Sequence, residues 1–423
     1  MEIDKARQRK ARHYARQKLV FSLLDLVLLL TCLTLTIATG LDKLLRDQLY
    51  MAVLWAPILT WHPFPGYYPA QLVAYFAIAF CGYCCLSLPL AYLRYRLSFR
   101  YGLALIDGST WLHDTGKNLL LNFALQAGAL LLTYGLLASQ PHWWWLWLAL
   151  LLLLFSIIMT NLAPVLIFPL FYRFKPLPEG ELNQRLLELA RRTATRVQGI
   201  FTIQLSHRTT AATAALMGLG NTRRIVLGDT MTDRYTIDEI EVVLAHEIGH
   251  HVHNHIWKML FSQGVLTLAG LSLTHLFLRW LMDNQNMYFS LTDPATIPLF
   301  ALLVVSFHVL IMPIRNTLSR HMEYQADEYA LQVTQKVDAF KSVMRRLASQ
   351  NLTEIVPAPL VEFWLYSHPA VHRRLRHADE FAERLLSSSY ASASFKSCNR
   401  AATSSTGPSG MVNSGSSTPH SAH

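Results

Sequence analysis

The sequence predicts a mainly α, polytopic membrane protein with about six transmembrane helices, a seventh being the alternative, and a small cytosolic α+β domain. Three observations carry this reading. Of 423 residues, 52% are hydrophobic and only 15% charged, with a mean hydropathy of +0.25, which is too apolar for an ordinary soluble enzyme of this size. Several charge-free runs reach the roughly 20 residues that a bilayer span requires. The Lys and Arg behind the formal net charge of +10 flank those runs in short clusters, at residues 5–18 and 94–100 for example. That is the positive-inside pattern, so the charge reads as membrane topology and no nucleic-acid partner is expected.

In chain order the spans fall at residues 19–40, 71–93, 119–139, 142–172, 259–278 and 294–314. The first is too long for the apolar core of a signal peptide and has no cleavage site after it. Its one charge, Asp25, must face protein or water. Residues 119–172 contain no Asp, Glu, Lys or Arg, and a turn at Gln140-Pro141 with the interfacial cluster Trp143, Trp144, Trp145 and Trp147 divides them into a hairpin. Residues 48–70 are also charge-free but are broken by Pro57, Pro63, Pro65 and Pro69, which reads as an interfacial loop or re-entrant cap, or as the seventh span. No internal repeat is evident. Cys32, Cys81, Cys84 and Cys85 lie in apolar spans and Cys398 near the end, so neither a disulfide framework nor a zinc ribbon follows.

Counting spans from a basic, inside N-terminus orients the chain. The expected units are four N-terminal spans in residues 1–172, a cytosolic α+β segment at 173–258, a transmembrane hairpin at 259–314, a cytosolic helical segment at 315–386 and a disordered tail at 387–423. The tail is assigned by its Ser, Thr, Gly and Ala. The N-terminus and both polar segments then share the cytosolic side, of the inner membrane in a bacterium or of the endoplasmic reticulum in a eukaryote. Within the first polar segment, Leu182, Leu186, Leu187 and Leu189 mark a helix over 179–197, with strands at 200–205 and 224–227 and a candidate edge strand at 211–216. Thr236 and Glu239 form a capping-box pattern opening a helix that runs to His250.

That helix carries the chemistry. His246-Glu247-Ile248-Gly249-His250 is an H-E-x-x-H pattern, and residues four apart share a helix face, so both imidazoles can reach one ion. A catalytic Zn2+ takes three protein ligands and keeps one position open. Glu247, beside the first ligand, can take a proton from the attacking water and pass it to the leaving amine. The pattern is short, and a histidine-rich exposed helix end is the bland alternative. The third ligand must come from the same side of the membrane, and the sixth span delivers Glu323 and Asp327, one helical turn apart, to that side. Glu323 completes a His2Glu site for one Zn2+ per chain, and Asp327 is placed to orient a ligand histidine. A solvated acidic helix face is the alternative there.

With these pieces the chain resembles the integral-membrane CAAX prenyl endopeptidases, gluzincin metalloproteases related to the HtpX-type membrane proteases. The matching stretches extend over about residues 166–374 and include Pro169-Leu170-Phe171, Phe174 to Gly180, Arg224 to Thr230, His246 to His250 with His255, Ser319-Arg320 with Glu323, Ala326-Asp327, and Ser367-His368-Pro369 with Arg374. The resemblance implies that His246, His250 and Glu323 bind zinc, that Glu247 is the general base, and that His368 and Arg374 polarise the scissile carbonyl or stabilise the oxyanion. It also implies an edge strand that holds substrate extended. Thr213-Ala214-Ala215, followed by Leu216, stands where the family has an Asn-Ala-Tyr-like segment; backbone groups supply most of such pairing. A hydrated chamber enclosed by the helices is a further implication.

The expected protein is therefore a membrane zinc metalloendopeptidase acting on peptide or protein substrates, prenylated CAAX termini among them, in contact with the lipid bilayer. An HtpX-like quality-control protease is the alternative within the same chemistry. A zinc-binding scaffold or transporter with a vestigial site is the alternative from another class. Nothing in the sequence indicates the oligomeric state.

Overall fold

Charge-free runs in this chain become long helices whose side chains face outward. The computed structural model describes residues 4–53, 68–218, 223–285, 287–288 and 290–404. Among these, six helices are long and apolar enough to cross a membrane: Lys5–Ala38, Pro69–Arg100, Gly108–Ser139, Trp144–Ala163, His255–Asn284 and Pro294–Thr334. Each contains one expected span or most of it. Leu120, Phe261 and Leu310 on them are 70%, 73% and 69% exposed, a pattern that suits lipid and not water.

The first part of the chain is α1 (Lys5–Ala38), α2 (Leu41–Val53), α3 (Pro69–Arg100), α4 (Gly108–Ser139) and α5 (Trp144–Leu166). Asp25 of α1 is satisfied inside the protein, accepting from Arg94 Nη1 at 2.9 Å and Tyr83 Oη at 3.4 Å on α3. The loop or cap expected at residues 48–70 begins as the end of α2, while residues 54–67, where the seventh span was the alternative, lie outside the described residues. The amphipathic α2 is anchored by its charges: Asp42 accepts from Tyr288 Oη at 2.9 Å, and Arg46 meets Asp293 at 2.7 Å.

The middle of the chain builds a four-stranded sheet from β1 (Phe174–Pro176), β2 (Ile200–Ile203), β3 (Ala214–Met217) and β4 (Arg224–Gly228), with α6 (Glu181–Arg192) between the first two strands. The order is β1-β2-β4-β3, with β2 and β4 parallel and both outer pairings antiparallel. β3 is therefore an edge strand. The short α7 (Asp229–Thr232) leads into α8 (Ile237–Val252), whose start carries the expected capping box: Glu239 N donates to Thr236 Oγ1 at 3.3 Å and Thr236 N to Glu239 Oε2 at 2.9 Å.

The remaining helices are α9 (His255–Gln285), α10 (Ile297–Thr334), α11 (Val337–Gln350), α12 (Pro359–Leu365) and α13 (Val371–Ser404). α10 continues without a break from the sixth span through Pro313 into the segment bearing Glu323. At about 1.5 Å per residue, Glu323 stands about 14 Å past Ile314 on one rigid rod. One buried core joins the two polar segments: Leu186, Leu189, Ile225, Leu227, Ile240 and Leu244 from the first, Ala330, Phe340 and Val343 from the second. Each large apolar side chain so buried contributes about 1.5–3 kcal/mol, so the segments fold as one unit. The loop after α3 joins it through Leu105 N to Arg208 O at 2.9 Å, and Arg12 of α1 reaches Glu354 at 3.0 Å. The tail differs from expectation. α13 runs through residues 387–404, an Ala-containing stretch without Gly or Pro, and residues 405–423 lie outside the described residues.

Candidate metal centre and active site

The last turns of α8 lie against α10 because both helices are small at the crossing. A Cβ on Gly249 would stand 3.0 Å from the Ala326 Cα, so the backbones approach as closely as a glycine permits. This brings His246 and His250 opposite Glu323. The Nε2 atoms of the two histidines are 3.2 Å apart, His246 Nε2 is 3.4 Å from Glu323 Oε2, and His250 Nε2 is 3.4 Å from Glu323 Oε1. Ligand atoms held at about 2.0–2.1 Å from a tetrahedral ion stand about 3.3–3.4 Å from one another, so the three donors are spaced for one Zn2+. Glu323 is 5% exposed and its Oε2 has no hydrogen-bond partner, an uncompensated buried oxygen that a cation would satisfy. His246, His250 and Glu323 are the group of side chains among the described residues with the spacing and donor set for a metal.

Each histidine is held by a partner on its other ring nitrogen. His246 Nδ1 lies 2.9 Å from Asp327 Oδ1, and because an ionised carboxylate only accepts, the ring proton sits on Nδ1 and the Nε2 lone pair faces the ligand cluster. Burial pushes His246 toward the neutral form, but Asp327 and Glu323 outweigh it and raise its pKa to about 9 without metal; an ion at Nε2 competes with that proton. Asp327 is fully buried and is held in turn by Arg374, whose Nε and Nη2 reach its two oxygens at 2.8 and 2.5 Å. This two-pronged pair commits most of the Arg374 guanidinium, which still has Nη1 3.9 Å from Glu323. On the other side, His250 Nδ1 meets His255 Nδ1 at 2.9 Å, and His255 Nε2 meets Gln325 Oε1 at 2.9 Å.

A cleft of about 490 Å3 opens onto this cluster, lined by Glu247, His246, Glu323, His368 and the backbone segment Ala212, Thr213 and Ala214. Glu247 projects from the same turn as His246 and is only part-buried. His368 follows α12, with Nε2 3.3 Å from Glu323 Oε1 and Nδ1 3.0 Å from Ser367 Oγ. Its side chain is 65% accessible yet crowded within the concave site, and that desolvation, with Arg374 and both histidines nearby, lowers its pKa despite Glu323. A neutral imidazole can still donate one hydrogen bond. Thr213 precedes β3, its carbonyl accepting from Gly228 N at 2.9 Å, while Ala214, Ala215 and Leu216 lie on the free edge. Of the site residues read from the sequence, His246, His250 and Glu323 form the ligand cluster, Glu247, His368 and Arg374 line the cleft, Thr213 to Leu216 lead into and along the edge strand, and Asp327 stands buried behind His246.

Two residues were absent from the candidate set. His255 was noted only as part of a motif, and its spacing of five from His250 could have signalled a ring partner just past the helix end. Gln325 carries no sequence signal, because its role exists only once α9 and α10 meet.

Comparison with known proteins accords with this geometry. Residues 176–382 match the model for Peptidase family M48, and residues 1–173 match that for the CAAX prenyl protease N-terminal domain, described as five membrane helices. Among the described residues, four helices long and apolar enough to cross a membrane lie in that stretch, in α1, α3, α4 and α5, and the shorter α2 is not one of them. Similar proteins include an uncharacterized metalloprotease, YhfN, of Bacillus subtilis, 30% identical over 297 residues and 70% of each chain. CAAX prenyl protease 1 of Saccharomyces cerevisiae is 30% identical over 316 residues, again 70% of each chain. The crystal structure of S. mikatae Ste24p superposes with a TM-score of 0.76 at 28% identity, covering 89% of both chains. With both parts of the chain matched and relatives 30% identical over 70% of its length, this chain belongs to the M48 membrane metallopeptidases of the CAAX prenyl protease type.

Proposed function

We propose that the protein is a zinc endopeptidase that cleaves extended peptides at the cytosolic membrane face, with prenylated C-terminal peptides as its substrate class. The observation that carries the catalytic reading is the three-donor cluster of His246, His250 and Glu323, spaced at 3.2–3.4 Å around a buried oxygen without a partner. The substrate class is supported by the relatives named CAAX prenyl protease 1. The cytosolic side is supported by the basic flanks of the spans.

His246, His250 and Glu323 would hold the zinc, which would supply Lewis acidity for the attacking water and the scissile carbonyl. Glu247 takes the proton of the attacking water and delivers it to the leaving amine. His368, accessible in the cleft, donates to the oxygen that becomes negative, a contact whose loss typically costs about 2.7–4 kcal/mol. Arg374 acts through Asp327, which fixes the tautomer and orientation of His246. The edge of β3, from Thr213 to Leu216, pairs with the substrate backbone.

The test is an assay of detergent-purified protein on a prenylated CAAX peptide, its unprenylated counterpart and an unprenylated membrane protein, each with and without chelator. Cleavage of the prenylated peptide, abolished by chelator and by Glu247→Gln while zinc is retained, is the expected result. Chelator-resistant cleavage, or a Glu247→Gln variant as active as the native protein, overturns the catalytic reading. Preference for the unprenylated membrane protein overturns the substrate class alone.

A further inference from the structure

The edge of the sheet that faces the cleft is already partly occupied, by a side chain of this protein. β3 and β4 pair antiparallel, with Ala214 opposite Leu227 and Ala215 opposite Val226. Gly228 N donates to Thr213 O at 2.9 Å, so Thr213 and Gly228 form a hydrogen-bonded pair. Antiparallel ladders alternate, hence Thr213 and Ala215 point their N–H and C=O groups toward β4, while Ala212, Ala214 and Leu216 point theirs toward the open edge. Among the described residues, the outward groups of Ala214 and Leu216 meet no partner. Those of Ala212 are both taken: Ala212 N donates to Asn351 Oδ1 at 3.0 Å, and Asn351 Nδ2 donates to Ala212 O at 3.3 Å.

A carboxamide that exchanges both bonds with one residue reproduces what an opposing residue does in a hydrogen-bonded antiparallel pair. Asn351 follows α11 directly, and its neighbour Gln350 fixes the same segment by donating to Thr210 O at 2.6 Å while accepting from Tyr235 Oη at 2.8 Å. Thr230 Oγ1 adds a bond to Ala211 O at 2.8 Å. The segment leading into β3 is therefore clamped, and Asn351, Ala212 and Ala214 all line the cleft with His246 and Glu247.

We infer that Asn351 is a specificity-determining stop: it fills the strand-pairing position opposite Ala212 and limits how far a substrate extends along β3. This rests on the endopeptidase reading above. A peptide added antiparallel to β3 runs from beside Leu216 toward Ala212, so its C-terminal part meets Asn351. Residues before the cut lie along the free edge, and the chain after the cut must end or turn away at the carboxamide. The site accordingly favours cutting near a C-terminus over cutting within a long chain.

The experiment uses the full-length protein with zinc and a series of peptides identical before the cut but carrying one to eight residues after it. For the native protein, kcat/KM should fall about tenfold once the C-terminal part outgrows the cleft, the worth of roughly one to two backbone hydrogen bonds. In Asn351→Ala the ratio of long-peptide to short-peptide kcat/KM should rise toward unity, a ratio from which any general loss of activity cancels. Asn351→Asp keeps the side-chain volume and can still accept from Ala212 N but cannot donate to Ala212 O, so its ratio should lie between those of the native protein and Asn351→Ala. Asn351→Ser serves in place of the alanine variant should the latter fail to fold. A native protein that cleaves short and long peptides alike, or an Asn351→Ala variant with an unchanged ratio, overturns the stop. A penalty that follows extension before the cut overturns the antiparallel direction. No cleavage of any peptide by the native protein overturns the endopeptidase reading instead.

Discussion

Gly249 of α8 and Ala326 of α10 are packed so closely that a Cβ on the glycine would lie 3.0 Å from the Ala326 Cα and 3.2 Å from its carbonyl oxygen. These are backbone atoms, so they cannot swing aside. In Gly249→Ala the two helices must part by a few tenths of an ångström, and the gap opens where His246 and His250 face Glu323. The variant should lose about 1–3 kcal/mol of stability, the usual range for overpacking a tight contact. It should also bind zinc more weakly. Thermal unfolding and a zinc-competition titration measure both, and native values in both would show that the close approach is not required.

The Asp327–Arg374 pair is buried and two-pronged, so breaking it from one side should be costly. Asp327→Asn leaves the Arg374 charge without its main partner and should lose about 3–5 kcal/mol. Adding Arg374→Met to that variant removes the stranded charge and should recover part of the loss. Unfolding of the two single variants and the double gives the coupling; simple additivity would mean that the pair is not coupled.

His255 holds His250 from behind, which predicts a positioning role separable from ligation. His255→Ala should weaken zinc binding by about 10–100-fold, the usual effect of removing a partner that orients a ligand. His255→Gln, whose side-chain oxygen can accept from His250 Nδ1, should restore part of the affinity. An affinity unchanged in the alanine variant would remove His255 from the metal centre.

Asp229 makes a stability contribution that depends on pH. Burial opposes its charge, but bonds from Ser206 Oγ at 2.6 Å and from the N–H groups of Leu205, Ser206 and Thr230 at 2.8–2.9 Å outweigh it, so its pKa lies below the ordinary 3.8. A carboxyl group with a lowered pKa stabilises the fold fully above its unfolded value and loses that contribution as pH falls through the folded one. The unfolding midpoint of Asp229→Asn should therefore lie below that of the native protein at neutral pH, with the gap closing below pH 3.8. A gap that stays constant into acid would mean that the ionised form carries no special weight.

The sequence discloses most where the physics is local. The H-E-x-x-H turn is a matter of helical spacing, and its start at Thr236 and Glu239 is written in a capping box, so both were legible. Glu323 was legible for another reason: counting spans puts it on the same side as His246. The sequence is silent where two remote surfaces meet. Asn351 contacts Ala212 across 139 positions, and no period or motif announces a side chain that imitates a strand. α2 is not legible because residues 41–47 fall between the first span and the Pro-broken stretch that begins at residue 48, although Asp42 and Arg46 find buried partners in the 288–293 region. The continuity of α10 is not legible from a hydropathy boundary at residues 314 and 315, which the helix crosses unbroken with Pro313 inside it.

The central claim is that His246, His250 and Glu323 hold a single zinc ion, and metal content is its most direct measure. Purified protein should retain about one zinc per chain after dialysis, whereas Glu323→Gln, which keeps the size of the side chain and removes its charge, should retain far less at the same folded fraction. A Glu323→Gln protein that keeps as much zinc as the native one, at equal affinity, would contradict the account.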